Sequence, residues 1–198
     1  MAKLYFKYGS MGSSKTAQAL MCRFNYLQKG FNVFLFKPLA DNRCVENGIP
    51  MISSRIGLKS ECIEFSKEDS FFHFCHTYDI SHEKDIILID ECQFMTKKQV
   101  EELKEISINI PVLCYGLLTN YKTELFEGSK RLVELADSLK EIKSVCSCGK
   151  KATVNARIVN GKIVTDGEEI VIGADECYEA MCYNCYIKRL KNENTNKF

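Results

Sequence analysis

The sequence predicts an α/β fold in which helices flank a parallel β-sheet and a smaller cysteine-rich domain follows. Apolar strand-like runs alternate with amphipathic helical segments from residue 4 to about residue 139, the pattern of a parallel sheet covered on both faces. After about residue 144 the cysteines cluster and this alternation ends. We therefore predict a main domain at 1–143, a small domain at 144–191 and a disordered tail at 192–198.

Composition and charge exclude several classes of protein. The chain has 198 residues, 45% of them hydrophobic, and a net charge of +1. This balance gives no strong attraction to nucleic acid or to an anionic membrane, so we expect neither as a partner. Apolar runs too short for a membrane span and an amino terminus unlike a signal peptide favour a cytoplasmic protein. In that reducing compartment the eleven cysteines are expected to be thiols or metal ligands.

The first sixty residues are predicted to hold two strands, one helix and a long loop. The segments are strands at 4–9 and 31–37, a helix at 16–30 and a loop at 40–60. Apolar residues recur at helical spacing between Ala17 and Leu27, and Gly30 is placed to cap that helix. Pro38 is expected to stop the second strand. Residues 40–60 carry turn formers and charges without clear periodicity, and loops of that length are often functional.

The rest of the main domain continues the alternation. The predicted segments are helices at 66–80, 96–107 and 128–139 and strands at 85–91 and 110–118. Acidic residues are expected in the first turn of the helix at 66–80, where their negative charge interacts favourably with the helix dipole. In the small domain, Asn160 and Gly161 lie between two alternating runs and predict a hairpin.

A phosphate-binding loop is predicted between the first strand and the first helix. The segment GSMGSSKT, residues 9–16, has Gly9, Lys15 and Thr16 where the pattern G-x-x-x-x-G-K-[ST] requires them, but Ser14 replaces the second glycine. Backbone N–H groups from Gly9 to Thr16 would surround phosphate oxygens, Lys15 would neutralise charge, and the Thr16 hydroxyl would bind magnesium. Ser14 would cost backbone freedom if its φ must be positive, and Gly12 could supply part of that flexibility. An ordinary strand–turn–helix corner is the alternative.

Two carboxylates at the end of a buried strand complete this site. Asp90 and Glu91 end the run IILIDE. Side chains alternate along a strand, so Asp90 could face the metal while Glu91 faces a second substrate. A carboxylate beside a hydroxyl nucleophile can accept its proton during attack on a γ-phosphate, which favours a kinase that acts on an alcohol. Together the loop and the carboxylates indicate a P-loop (RecA-like) NTPase sheet; a solvated acidic pair is the alternative.

Two cysteine pairs predict a structural zinc site. Cys146 and Cys148 are spaced C-x-C, and Cys182 and Cys185 are spaced C-x-x-C about 35 residues later. Four thiolates satisfy tetrahedral zinc and leave no position open for chemistry. The C-x-C pair is tighter than usual, and Cys177 is close enough to substitute as a ligand. Buried free thiols are the alternative.

These motifs, in this order, resemble the type II (cellular-type) thymidine kinases over residues 4–190. The resemblance rests on GSMGSSKT, FKPLADNR, IILIDECQF, YGLLTNYKTELFEG, the zinc cysteines and IVIGADECYEAMCYNCY. It implies ATP-dependent phosphorylation of the 5′-hydroxyl of thymidine, with Glu91 as the proton acceptor and Asp90 on the metal side. It also implies a homotetramer.

The resemblance carries further site residues onto this chain. On the nucleotide side these are Ser10, Met11, Gly12, Ser13, Asp41, Arg43 and Gln93. The implied thymidine pocket comprises Met11, Phe94, Leu117, Tyr121, Phe126, Asn155, Glu169, Ile170, Val171, Ile172, Gly173 and Tyr178. The last six belong to a segment that holds the base mainly through main-chain hydrogen bonds, and zinc is expected to shape that segment.

The chain departs from the family pattern at Ser14, at Leu118 and in the short first cysteine pair. Lys15, Thr16, Asp90 and Glu91 are all present, so activity is expected, with nucleotide affinity weakened at Ser14. Two other functions stay open: an ATPase whose zinc domain contacts nucleic acid, and a nucleotide-binding regulator without catalysis. Another preferred nucleoside is also compatible with main-chain recognition of the base.

Overall fold

The computed structural model describes residues 3–41, 44–167 and 178–195 of the chain. Its main sheet has six parallel strands in the order β6-β2-β7-β8-β1-β9. The strands are β1 (Leu4–Tyr8), β2 (Asn32–Pro38), β6 (Ile63–Phe65), β7 (Asp85–Ile89), β8 (Val112–Gly116) and β9 (Ser138–Glu141). Because all six run the same way, their carboxyl ends meet at one edge, where ligands bind in open α/β sheets.

Helices cover both faces of this sheet. They are α1 (Lys15–Leu27), α2 (Phe71–Thr77), a 3-10 helix (Cys92–Phe94), α3 (Lys97–Ile106) and α4 (Glu127–Leu135). Strand β7 shows the two-sided packing: Ile86 and Leu88 belong to the core under α1, and Ile87 and Ile89 to the core under α2, α3 and α4. All five β7 residues are buried, as expected for a central parallel strand. The predicted fold class is confirmed.

The predicted loop at 40–60 is wrong. Three short antiparallel strands lie there, β3 (Val45–Glu46), β4 (Ile49–Ser53) and β5 (Lys59–Glu61). The strands are too short to show a period in sequence. Their position depends on a contact with another element, because buried Lys37 of β2 donates hydrogen bonds to the carbonyls of Cys44 (3.2 Å) and Met51 (3.1 Å).

Several predicted boundaries also need correction. The helix predicted at 66–80 is only α2, and Glu68 and Asp69 precede it instead of lying in its first turn. The helix predicted at 128–139 ends at Leu135, and the following residues form β9, which pairs with β1. Pro38 is the last residue of β2 rather than a residue beyond it. In each case, pairing with a distant strand or helix sets the boundary, and local spacing does not reveal it.

The cysteine-rich region forms a second small sheet. Its strands are β10 (Val154–Val159), β11 (Lys162–Val164) and β12 (Tyr178–Met181), with β10 in the centre. Asn160 (φ 50°) and Gly161 (φ 75°) form the turn between β10 and β11, which confirms the predicted hairpin. Helix α5 (Tyr183–Thr195) packs on this sheet and continues through residues 192–195, which were predicted to be disordered.

Every helix in the described part of the chain is too short or too polar to cross a lipid bilayer.

Candidate active site

The carboxyl ends of β1, β7 and β8 bring the predicted nucleotide-binding residues together. Gly9 follows β1, Asp90 follows β7, and Leu117 follows β8. The N–H of Gly9 donates to the carbonyl of Gly116 (3.3 Å), which ties the phosphate loop to the end of β8. A side chain at Gly9 would overlap the Ile142 carbonyl and the Ser13 hydroxyl, so only glycine fits at this start of the loop.

The phosphate loop contains two residues in the left-handed region of backbone space. Gly12 has φ 71° and Ser14 has φ 64° and ψ 26°. Glycine adopts this conformation freely, whereas an L-residue pays about 1–2 kcal/mol. Ser14 therefore has the positive φ at which a serine, unlike a glycine, costs stability. Its N–H remains available to a ligand, since substituting serine for glycine removes no backbone donor.

Lys15 lies against the inner wall of the loop. Its ammonium group donates to the carbonyls of Gly9 (3.1 Å) and Ser10 (2.9 Å) and approaches the Ser13 hydroxyl (3.4 Å). Burial lowers the pKa of Lys15, and the nearby carboxylates of Glu91 and Asp90 act in the opposite direction. The loop carbonyls thus hold a buried cation at the position where an anionic ligand would bind.

Asp90 faces the start of α1. Its N–H donates to the carbonyl of Phe36 (2.9 Å), which continues the ladder of β7 by one residue and places Asp90 on the α1 side of the sheet. There the Thr16 hydroxyl donates to its carboxylate. Burial, and then the charge of Glu91, raise the pKa of Asp90 to about 7. A carboxylate and a hydroxyl in contact, at a site whose burial disfavours an uncompensated negative charge, are suitable ligands for magnesium.

Glu91 has an unusual backbone and a fixed side chain. Its φ is 51°, a left-handed conformation that is uncommon outside glycine and often marks functional sites. The amide of Gln93 donates to the Glu91 carboxylate (2.6 Å) and accepts from the N–H of Leu117 (2.9 Å). Gln93 is buried, and a side chain at Gly116 would overlap its amide oxygen. The structure therefore puts Gln93 behind Glu91, as a link to β8.

Aromatic and apolar residues follow β8 in a closed loop from Leu117 to Phe126. The N–H of Phe126 returns to the carbonyl of Leu118 (3.4 Å), and the Asn120 side chain accepts from the N–H groups of Lys122 and Glu124. The rings of Phe94 and Phe126 meet edge to face, 6.0 Å apart. This loop therefore presents several of the predicted pocket residues together.

Tyr121 and Arg157 form a pair beside this loop. Tyr121 is buried, and its hydroxyl has no hydrogen-bond partner among the described residues. The Arg157 guanidinium lies 5.5 Å from the centre of the Tyr121 ring. Sequence reasoning missed Arg157, because a single arginine in a β-strand gives no local signal.

Asn155 joins the two sheets. Its side-chain oxygen accepts from the N–H of Met11 in the phosphate loop (2.8 Å), and its amide nitrogen donates to the Thr119 carbonyl (3.1 Å). Asn155 is buried in β10, so one side chain connects β10, the phosphate loop and the loop after β8. Its amide is engaged with backbone in this state, a role that the sequence did not predict.

The other predicted site residues fall in different places. Asp41 follows β2 at the same sheet edge and is half-buried. Tyr178 begins β12, where it pairs with Arg157. Arg43, the segment from Glu169 to Gly173 and Cys177 lie outside the described residues.

The four predicted zinc ligands are together. The Sγ atoms of Cys146, Cys148, Cys182 and Cys185 all lie within 4.8 Å of one another, and those of Cys148 and Cys182 are 3.6 Å apart. Four sulfurs around one zinc ion at its usual bond length are separated by about 3.8 Å. Gly149 (φ 83°) allows the tight turn of the C-x-C pair. The N–H groups of Cys148 and Cys182 donate to Cys146 and lower its pKa to about 6, whereas the three neighbouring thiols raise the pKa of Cys185 to about 12. The cluster therefore fits zinc.

Comparison with known proteins identifies the family. The model of the thymidine kinase family matches residues 2–186. A thymidine kinase of Zymomonas mobilis is 44% identical over 97% of this chain and all of its own length. Those of Aliivibrio fischeri (41% identical over 96% of this chain and 99% of its own) and Legionella pneumophila (40% identical over the whole of both) are also similar.

Proposed function

The chain belongs to the thymidine kinase family, and we propose that it transfers the γ-phosphoryl group of ATP to the 5′-hydroxyl of thymidine. The products are dTMP and ADP, which makes the enzyme part of nucleotide salvage for DNA synthesis. The observation that carries this proposal is the position of Glu91. It lies two residues after the central strand β7, close enough to Lys15 of the phosphate loop for their charges to interact, and the Gln93 amide donates to its carboxylate at 2.6 Å.

The phosphate loop is proposed to bind ATP. The N–H groups from Gly9 to Thr16 surround the phosphates at the amino terminus of α1, and Lys15 neutralises their charge. Lys15 would exchange its present bonds to the Gly9 and Ser10 carbonyls for phosphate oxygens. Asp41, Arg43 and Gln93 complete this side of the site in the proposal.

Thr16 and Asp90 are proposed to hold magnesium. When bound, magnesium supplies positive charge that offsets the charge of the phosphates and of Asp90. The contact between the Thr16 hydroxyl and the Asp90 carboxylate supports this assignment.

Glu91 is proposed to be the catalytic base. As the 5′-oxygen forms its bond to the γ-phosphorus, the hydroxyl proton passes to the Glu91 carboxylate, and the bond between the γ-phosphorus and the bridging oxygen breaks to release ADP. Gln93 keeps the carboxylate oriented and contributes no proton.

Thymidine is proposed to bind against the closed loop after β8. The implied pocket contains Met11, Phe94, Leu117, Tyr121, Phe126, Asn155, Glu169–Gly173 and Tyr178. The edge-to-face contact of Phe94 and Phe126 and the buried ring of Tyr121 suit a flat base. The zinc proposed at the four cysteines is structural. A homotetramer, which the family resemblance implies, and a cytoplasmic location are further parts of the proposal.

The experiment that tests this function measures transfer of labelled phosphate from ATP, with magnesium, to thymidine and to a panel of other nucleosides. Labelled dTMP as the main product is expected, since the pocket is proposed to select thymine. Preference for another nucleoside would revise the substrate. Transfer to none of them, by a folded protein that binds ATP, would overturn the proposed reaction.

A further inference from the structure

The tip of the hairpin between β4 and β5 is a rigid turn. We call residues 54–58 the hairpin tip. The N–H of Ser54 donates to the Leu58 carbonyl (2.8 Å), the N–H of Leu58 donates to the Ser54 hydroxyl (3.0 Å), and Gly57 has φ 86°. These bonds close the turn from within, so Arg55 projects from a defined backbone.

The base of the same hairpin is anchored to the core of the main domain. Ile52 of β4 is buried in the cluster that contains Ala19 and Leu20 of α1. Lys37 donates to the Met51 carbonyl (3.1 Å) and approaches the Glu64 carboxylate (3.4 Å). Because α1 begins at the phosphate loop, this anchoring fixes the hairpin tip relative to that loop.

Arg55 reaches the phosphate loop from this tip. A methyl group at Gly12 would lie 3.9 Å from the Nη1 atom of Arg55. Gly12 is the middle of the loop, and its side of the loop is exposed to solvent, as is Arg55. The guanidinium therefore lies beside the segment whose N–H groups are proposed to bind phosphate.

Two cations meet at this loop. The Lys15 ammonium group lies against the Gly9 and Ser10 carbonyls inside the loop, and the Arg55 guanidinium lies beside Gly12 on its exposed side. The potentials of two cations beside one loop add, so together they attract an anion more strongly than either does alone. A nucleoside triphosphate carries enough negative charge to interact with both.

We propose that Arg55 is a second phosphate-binding cation of this site, and that its guanidinium contacts the terminal phosphate of the bound nucleoside triphosphate. This inference rests on the proposed function. A planar guanidinium can donate two parallel hydrogen bonds to a phosphate, and charge delivered to the transferring group stabilises the transition state. Arg55 enters from the hairpin, whereas Lys15 enters from the start of α1, so the two cations reach the phosphates from different elements.

The competing explanation is that Arg55 is an ordinary surface residue of the hairpin. A surface arginine would leave the affinity for every nucleotide unchanged when replaced. A residue that only stabilises the hairpin would reduce the affinity for diphosphate and triphosphate alike. If Arg55 contacts the terminal phosphate, its replacement should reduce the affinity for the triphosphate but not for the diphosphate.

The test compares Arg55→Ala and Arg55→Lys with wild type in two measurements. Calorimetry gives the affinity for magnesium-bound ADP and for a non-hydrolysable ATP analogue, without thymidine, and kinetics then gives kcat for thymidine. Arg55→Ala should weaken analogue binding by about 10- to 100-fold, the effect of losing a hydrogen bond to a charged group, and should change ADP binding less than about 2-fold. Arg55→Lys should weaken analogue binding by an intermediate amount, because lysine keeps the positive charge but cannot donate the two parallel hydrogen bonds of a guanidinium.

Ile56→Ala is the matched control, since Ile56 is the next residue of the tip and is 68% exposed. It should match wild type in both affinities, and melting curves should show that all variants are folded. Equal loss for ADP and the analogue, or no loss in either, would overturn the proposal. Selective loss of analogue binding in a protein that does not phosphorylate thymidine would retain Arg55 as a phosphate ligand and refute the proposed reaction.

Discussion

At the scale of single residues, Ser14 has a backbone conformation that favours glycine over the serine present. Its φ of 64° is one that glycine adopts without cost. The motif alone could identify the position but could not establish its φ, which depends on how the loop joins β1 to α1.

We expect Ser14→Gly to stabilise the protein. The gain should be a few tenths to about 1 kcal/mol, because relief of the left-handed strain exceeds the extra entropy of glycine in the unfolded chain. Chemical denaturation measures this free energy of unfolding. The inverse change Gly12→Ser, at φ 71°, should destabilise the protein by a similar amount, and a stabilising Gly12→Ser would show that φ is not the controlling factor.

Asp90 provides a prediction of pH dependence. Its pKa is raised from 3.8 to about 7 in the folded protein, first by burial and then by Glu91. Between pH 3.8 and about 7 the folded protein keeps the proton on this carboxyl while the unfolded chain has lost it, so stability falls as the pH rises across this interval and levels off above about 7. Without magnesium or nucleotide, Asp90→Asn should therefore be more stable than wild type at pH 8, by up to about 4 kcal/mol, and equal to it near pH 4.

Asp137 is the matched control for this experiment. Hydrogen bonds from Lys104 and from the N–H of Leu4 lower its pKa. A carboxyl with a lowered pKa stabilises the folded protein at a pH above its pKa in the unfolded chain. This stabilisation is lost as the pH falls through its pKa in the folded protein. Asp137→Asn should thus be less stable than wild type at pH 8, the opposite sign to Asp90→Asn. A wild type and an Asp90→Asn variant with parallel stability curves from pH 4 to pH 8 would contradict the assigned shift.

At the scale of elements, the predictions are correct for segments whose local sequence shows a clear pattern and wrong for segments whose structure depends on contacts with another part of the chain. The strand at β7, the helix at α3 and the turn at Asn160 and Gly161 are each evident from local sequence. Strand β9 is not, because it pairs with β1 at the other end of the main domain. The three strands at 45–61 are not, because they are short and their position depends on hydrogen bonds from Lys37 of β2.

The zinc cluster gives a prediction for the small sheet. Cys182→Ser should lose bound zinc and loosen β10, β11 and β12, since four ligands from two segments close this unit. The KM for thymidine should rise by about tenfold or more, the effect of a lost positioning contact, while ATP affinity changes less. Metal content by mass spectrometry and steady-state kinetics measure these effects.

Cys44→Ser is the matched control, because Cys44 is a partly exposed free thiol outside the cluster. It should keep full zinc content and wild-type KM. A Cys182→Ser protein with unchanged thymidine KM would show that the metal cluster does not support the nucleoside pocket.

At the scale of the whole molecule, the sequence located both halves of the candidate site but not the contacts that join them. Glycine, lysine and carboxylate motifs predicted the groups at the sheet edge, because each has a fixed chemical role and spacing. The bonds of Asn155 to Met11 and Thr119, the support of Glu91 by Gln93 and the approach of Arg55 to Gly12 all cross between elements. Only the folded chain brings such residues together.

These contacts suggest how the two sheets cooperate. Asn155 transmits the position of β10 directly to the phosphate loop through the Met11 N–H. Movement of the small sheet on nucleoside binding would therefore shift the phosphate loop, where ATP is proposed to bind. The central claim remains the proposed role of Glu91 as the base that accepts the proton of the 5′-hydroxyl.

The measurement that tests this claim most directly is single-turnover transfer of labelled phosphate from ATP to thymidine by wild type and Glu91→Gln, with ATP affinity measured on the same samples. We expect transfer to fall by about 10²- to 10⁴-fold, because the variant has no base for the 5′-hydroxyl, while ATP affinity stays within about 2-fold, since Lys15 and the loop N–H groups are intact. Unchanged transfer in Glu91→Gln would contradict the assignment of Glu91 as the base.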